Sequence, residues 1–135
     1  MKALDTNVLV RFFVDDPDDA QSARQRPRAI EALSERGYVP LTVLLELEWV
    51  LRGFYELPPK EIARVIRALA SIEHITLENR DAVLSAANSL MGGIDFADAL
   101  HVGCSNRAAT FVTFDAKLAK RAAKLQLTLP VELLT

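Results

Sequence analysis

The sequence has very few residues that bind soft metals or form cross-links. Its 135 residues contain one cysteine, Cys104, and two histidines. A single cysteine excludes an internal disulfide and is typical of a cytoplasmic protein. Too few thiols and imidazoles are present for a structural zinc site. Long hydrophobic runs and a signal-peptide pattern are also absent, so we expect a cytoplasmic protein with no membrane-bound part.

No charge of one sign dominates the chain. Lys and Arg number 16 and Asp and Glu 18, for a net charge of -2. The strongly basic balance of many nucleic-acid-binding proteins is therefore absent, although the total does not exclude a local basic face. Basic residues cluster in 24–28 and 117–124, and we interpret both clusters as solvated helix faces. The length and the 50% hydrophobic content fit one globular domain over residues 1–135.

Short apolar stretches alternate with helical patterns along the whole chain. The stretches "KAL", "YVP", "HITL", "TFVTF" and "LTL" predict strands. The segments between them predict helices, of which "EIARVIRALA" is the most clearly amphipathic. Pro27 falls inside one predicted helix and predicts a kink there. The alternation predicts an α/β fold, a three-layer α/β/α sandwich around a mostly parallel central sheet of about five strands.

Several carboxylates lie where such folds place their chemistry. Asp5 follows the first predicted strand, and Asp115 follows "TFVTF". Asp95 and Asp98 open the helix "DFADALH". Sites in parallel sheets form beyond the carboxyl ends of strands, but Asp is also a favoured helix N-cap. Taken one at a time, these residues fit either role.

Two glutamates lie close together on the helix "TVLLELEWVLRGF". The helical neighbours of Glu46 include Val43, Trp49 and Val50, and no Lys or Arg stands three or four residues away. A carboxylate on an apolar face must be paired, protonated or bound to a metal ion. Glu48 has Arg52 at i+4, which we interpret as an ordinary surface ion pair. Glu46 is therefore the stronger candidate for a site.

Carboxylates that converge need a counter-charge. Two like charges about 4 Å apart repel by roughly 1–4 kcal/mol at effective dielectric constants of 80 to 20. An all-oxygen site without Cys or paired His selects a hard cation such as Mg²⁺ or Mn²⁺. Because Mg²⁺ commonly completes its shell with a phosphate, the pattern favours phosphodiester chemistry.

Four motifs in a fixed order resemble a known family. "LDTNVLVR", "LLELEWVLR", "DFADALH" and "TFD" are similar to those of PIN-domain ribonucleases, and within them most similar to the VapC-type toxins of toxin–antitoxin pairs. The resemblance places the four catalytic and metal-binding acids at Asp5, Glu46, Asp98 and Asp115. It places supporting residues at Thr6, Asn7, Asp95 and Thr113.

The resemblance also implies an activity and partners. It implies a Mg²⁺- or Mn²⁺-dependent endoribonuclease that acts on an RNA substrate, forms a homodimer and is covered by a small antitoxin protein. Two alternatives keep the same fold. One is an RNA-processing PIN nuclease outside any toxin pair, and the other is a non-catalytic module that binds RNA or a protein partner.

Overall fold

The computed structural model describes all residues, Met1–Thr135, and consists of short strands alternating with helices. The five strands are β1 (Lys2–Ala3), β2 (Gly37–Val39), β3 (Ile75–Leu77), β4 (Phe111–Thr113) and β5 (Val131–Leu133). The seven helices are α1 (Thr6–Phe13), α2 (Ala20–Leu33), α3 (Leu41–Gly53), α4 (Pro59–Ser71), α5 (Arg80–Met91), α6 (Phe96–Gly103) and α7 (Ala116–Leu125). None of these helices combines the length and apolar character needed to cross a membrane.

Every strand pair is parallel, as the alternation predicted. The strands form a three-stranded sheet in the order β1-β2-β3 and a two-stranded sheet of β4 and β5. In register, Ala3 faces Tyr38 and Phe111 faces Val131. The structure therefore has five strands, four of them at the predicted segments, but no ladder of hydrogen bonds joins β1 to β4. Strand β1 has only two residues, so it offers few backbone groups for a second ladder.

The last strand lies later in the chain than predicted. The prediction placed it at "LTL", residues 127–129, whereas β5 begins at Val131. Leu129 is buried, and the carbonyl of Pro130 accepts a hydrogen bond from the Phe111 N–H at 2.8 Å. The apolar character of "LTL" thus reflects burial of side chains and not ladder pairing.

A cluster of 26 buried apolar residues forms the core. Helix α4 contributes its predicted apolar stripe to this core, including Ile62, Ile66 and Leu69. This face packs against α5, which in turn packs against α6. Full burial of such a side chain is worth about 1.5–3 kcal/mol. The stripe of α4 is therefore used inside the chain, and not left open for a subunit contact.

Helix α3 fixes which acidic residues face inward. Its buried residues are Leu44, Leu47, Glu48 and Leu51, which follow the i, i+3, i+4, i+7 pattern of one helical face. Glu46 lies off that face and is exposed. Our prediction that Glu46 stands on the buried apolar face, with Glu48 at the surface, was wrong.

Candidate active site

Three of the candidate aspartates are helix N-caps. Asp5 accepts a hydrogen bond from the Thr6 N–H at 2.8 Å at the start of α1. Asp95 accepts one from the Asp98 N–H at 3.2 Å at the start of α6, and Asp115 accepts one from the Leu118 N–H at 3.1 Å at the start of α7. The capping role that the sequence left open is thus present at all three positions.

Capping leaves part of each carboxylate available. In each of these caps the Oδ1 atom accepts the hydrogen bond. The Oδ2 atoms of Asp5, Asp95 and Asp115 make no hydrogen bond within the chain. Since a carboxylate binds Mg²⁺ through a single oxygen in many sites, capping and metal binding are compatible. Each capping hydrogen bond orients its carboxylate at the N-terminus of the helix.

Asp95, Asp98 and Asp115 line one cavity. The cavity has a volume of about 290 Å³ and lies where α6 and α7 begin. Burial raises the pKa of the Asp98 carboxyl, and the nearby charges of Asp95 and Asp115 raise that pKa further. The three acids are therefore close enough to repel one another. A cation among them would relieve that repulsion.

Cationic side chains share the same cavity. Arg52, Lys117 and Arg121 line it together with the three acids. Both Lys117 and Arg121 are exposed, in agreement with the interpretation of the 117–124 cluster as a solvated helix face, and they line this cavity as well. The sequence contains an indication of this position, because Lys117 and Arg121 stand four positions apart on α7 and Lys117 follows Asp115 by two residues. Such spacing places both on one helical face.

An ion pair between the buried Glu48 and the half-exposed Arg52 forms another part of the wall. Arg52 donates from Nε to Glu48 at 2.9 Å, and the Glu48 side chain is only 4% exposed. Our interpretation of this pair as an ordinary surface pair was wrong. The hydrogen bond to Glu48 and its negative charge raise the pKa of the Arg52 guanidinium. The pair thus anchors Arg52 between α3 and the cavity.

Asp5 and Glu46 line a second cavity, of about 260 Å³. Thr6 and Asn7 also line it, together with Arg11. The Thr6 side chain is buried and its hydroxyl has no hydrogen-bond partner in the chain. An unpaired buried hydroxyl carries a free-energy cost, so this atom is available to a water molecule or a ligand.

Thr113 supports Asp115 through the backbone. Its hydroxyl accepts a hydrogen bond from the Asp115 N–H at 3.0 Å. This contact fixes the turn between β4 and α7. The resemblance places Thr113 among the supporting residues. In the structure its hydrogen bond is to the main chain of Asp115 and not to the carboxylate.

The four principal acids are divided between the two cavities. Asp98 and Asp115 line the first, and Asp5 and Glu46 line the second. No three acidic, histidine or cysteine side chains stand close enough together to hold a metal ion as arranged. The oxygen donors, the free Oδ2 atoms and the unpaired Thr6 hydroxyl nevertheless fit a hard cation such as Mg²⁺.

Comparison with known proteins gives the family. The model of the PIN domain family matches residues 2–125, which includes both cavities and all four motifs. A search of curated proteins found no match. PIN domains are generally metal-dependent nucleases, and they act on RNA. Because the match covers nearly the whole length, the chain belongs to the PIN domain family.

Proposed function

We propose that the protein is a Mg²⁺- or Mn²⁺-dependent endoribonuclease that hydrolyses phosphodiester bonds. The observation that carries the proposal is the cavity shared by Asp95, Asp98 and Asp115. The raised pKa of Asp98 means that ionising this acid beside its neighbours costs free energy. A divalent cation offsets such a cost, and perturbed carboxylates in a cavity are typical of functional sites.

The proposed roles follow from the resemblance to PIN-domain ribonucleases, because Asp5 lines one cavity and Asp98 and Asp115 line the other. Asp5 and Asp98 would hold the metal ion most directly, which requires the acids of the two cavities to converge on the ion. Asp115 would complete the set directly or through a water molecule. Glu46 would hold a second ion or orient the attacking water. When bound, Mg²⁺ or Mn²⁺ would lower the pKa of water and offset charge on the phosphate, so that in-line attack by water would leave 5′-phosphate and 3′-hydroxyl ends.

The supporting residues keep these acids in place. Thr113 fixes the backbone of Asp115, and Asp95 caps α6 through the N–H of Asp98. Thr6 offers its unpaired hydroxyl, and Asn7 lines the same cavity. Groups of this kind orient metal ligands and are costly to remove.

We further propose that the nuclease is the toxin of a toxin–antitoxin pair in the cytoplasm, forms a homodimer and binds a small antitoxin. The order of the four motifs supports this proposal. Exposed aromatic side chains support protein contacts. Trp49 is 63% exposed and Phe54 74% exposed at the end of α3, and aromatic residues are enriched at protein interfaces.

Cleavage of total RNA by the purified protein tests the nuclease activity. We expect cleavage with Mg²⁺ or Mn²⁺ and none with a chelator. Asp98→Ala and Asp115→Ala should each lower the rate at least about 100-fold, since each removes a ligand of the proposed ion. Asp18→Ala is the matched control, because Asp18 is exposed and lies outside both cavities.

Two results would contradict the nuclease proposal: cleavage that persists in chelator, and full activity of Asp98→Ala. RNA binding without cleavage under any metal would favour the non-catalytic alternative. Induced expression tests the toxin role, since a toxin arrests growth and the Asp98→Ala variant does not. Normal growth with an active wild-type enzyme would favour an RNA-processing nuclease.

A further inference from the structure

We propose that Lys117 and Arg121 form a binding site for a backbone phosphate of the substrate RNA, in the cavity that they share with Asp95, Asp98 and Asp115. This inference rests on the proposed function and deepens it. It names the residues that hold the nucleic acid, as distinct from those that hold a metal ion.

The first step is the position of the two cations. Lys117 and Arg121 stand one turn apart on α7, and both line the cavity that holds Asp95, Asp98 and Asp115. Neither forms an ion pair within 4.0 Å, because the five ion pairs of the chain all involve other residues. Their charges are therefore not used by the fold.

The second step is the way in which Arg121 is held. One terminal nitrogen of its guanidinium donates to the carbonyl of Gly93 at 2.5 Å. Gly93 has a φ of 82°, a backbone conformation that favours glycine. A Cβ there would make only an ordinary van der Waals contact with the guanidinium, 3.4 Å from its central carbon, so the guanidinium lies directly against the loop before α6. The single hydrogen bond to Gly93 leaves the other N–H groups of the Arg121 guanidinium free to donate to a phosphate. A guanidinium group can bind a phosphate through two parallel hydrogen bonds.

The third step is the charge of the cavity. Glu48 and Arg52 neutralise each other. Among the remaining charged residues, three carboxylates outnumber two cations, which leaves one formal negative charge. A cavity with a net negative charge repels a phosphodiester. One bound divalent ion would make the net charge of the cavity positive. In that state the acids would neutralise the metal ion, and the charges of Lys117 and Arg121 would attract the phosphate.

A binding titration separates this role from a purely structural one. All variants carry Asp98→Asn, which prevents cleavage and leaves two carboxylates against two cations in the cavity, so the cavity has no net negative charge without a metal ion. They are titrated in chelator against a labelled single-stranded RNA of about 12 nucleotides. We expect Lys117→Ala and Arg121→Ala each to weaken binding about tenfold. With both substitutions, the slope of log K against log salt should decrease by about 0.7, which corresponds to one lost phosphate contact on a single strand.

Two further variants complete the design. Lys120→Ala removes a cation from the same helix that does not line the cavity, and its affinity and slope should match the parent. Arg121→Lys keeps the charge but loses the two-pronged geometry, so it should bind with intermediate affinity. Circular dichroism and the melting temperature show whether each variant is folded.

The outcomes distinguish this inference from the proposed function. If Lys117→Ala and Arg121→Ala bind RNA as Lys120→Ala does, while the wild-type enzyme cleaves RNA, only the phosphate site is wrong. Lys117→Ala decides the matter if Arg121→Ala unfolds, because Lys117 makes no hydrogen bond to the loop. If the wild type fails to cleave but the cations still govern binding, the nuclease proposal fails and the phosphate site stands.

Discussion

The strongest effect at the scale of single residues is expected at Asp98. Burial and the charges of Asp95 and Asp115 raise its pKa, so its ionised form destabilises the fold at neutral pH. We predict that Asp98→Asn abolishes cleavage and at the same time raises the melting temperature by about 1–3 °C. Calorimetry and an RNA cleavage assay on the same preparation measure both effects.

The pH dependence of this stabilisation has a definite sign. A raised pKa means that the folded protein binds more protons than the unfolded chain between the unfolded and folded pKa values of Asp98. The free energy of unfolding therefore falls as pH rises through that window. The stabilisation of the fold by Asp98→Asn should be greatest at pH values above the pKa of Asp98 in the folded protein. It should vanish at pH values below the pKa of Asp98 in the unfolded chain. An Asn variant less stable than the wild type at neutral pH would contradict this account.

Residue-level prediction succeeded for the caps and failed for the two glutamates of α3. The capping role of Asp5, Asp95 and Asp115 depends only on the next few residues, so the sequence contains the information. The exposure of Glu46 and the burial of Glu48 depend on what packs against α3. Leu44, Leu47 and Leu51 pointed to the correct face, but apolar residues on nearly every side of the helix hid the pattern.

At the scale of elements, α2 passes through a proline without ending. The helix is continuous over Ala20–Leu33, with Pro27 in its interior. Proline has no N–H to donate to the carbonyl of Ala23 and is unfavourable in a helix interior. We predict that Pro27→Ala raises the free energy of unfolding by about 2–3 kcal/mol. Denaturant unfolding of the two proteins measures the difference.

The comparison needs a control on the same helix. Arg24 is exposed and makes no ion pair or side-chain hydrogen bond, so Arg24→Ala should change the free energy of unfolding by less than about 0.5 kcal/mol. If Pro27→Ala is no more stable than Arg24→Ala, the helix has already adjusted to the proline. The sequence predicted a kink at Pro27 in this helix. The structure shows that α2 continues through Pro27 and packs against α1.

At the scale of the whole molecule, a divalent cation should stabilise the fold. A ligand that binds only the native state adds about 1.4 kcal/mol at a concentration ten times its dissociation constant. We predict that Mg²⁺ raises the melting temperature of the wild type and does not raise that of Asp98→Asn. Thermal unfolding with Mg²⁺ and with NaCl at equal ionic strength measures the specific part of the shift.

Asp18→Ala again serves as the control and should respond to Mg²⁺ as the wild type does. An equal Mg²⁺ shift in the wild type and in Asp98→Asn would place the ion outside the cavity of Asp95, Asp98 and Asp115. Such a result would remove the metal-binding role of Asp98.

The sequence by itself determined the α/β class, the parallel strands, the capping aspartates and the four motifs of the PIN family, because each depends on local periodicity or on short-range order along the chain. Only the tertiary structure decided that Glu48 is buried and Glu46 exposed, that β4 and β5 pair apart from the other strands, and that Lys117 and Arg121 line the same cavity as Asp95, Asp98 and Asp115. These features depend on which surfaces meet across long sequence separations. The pattern within one helix or strand does not contain that information.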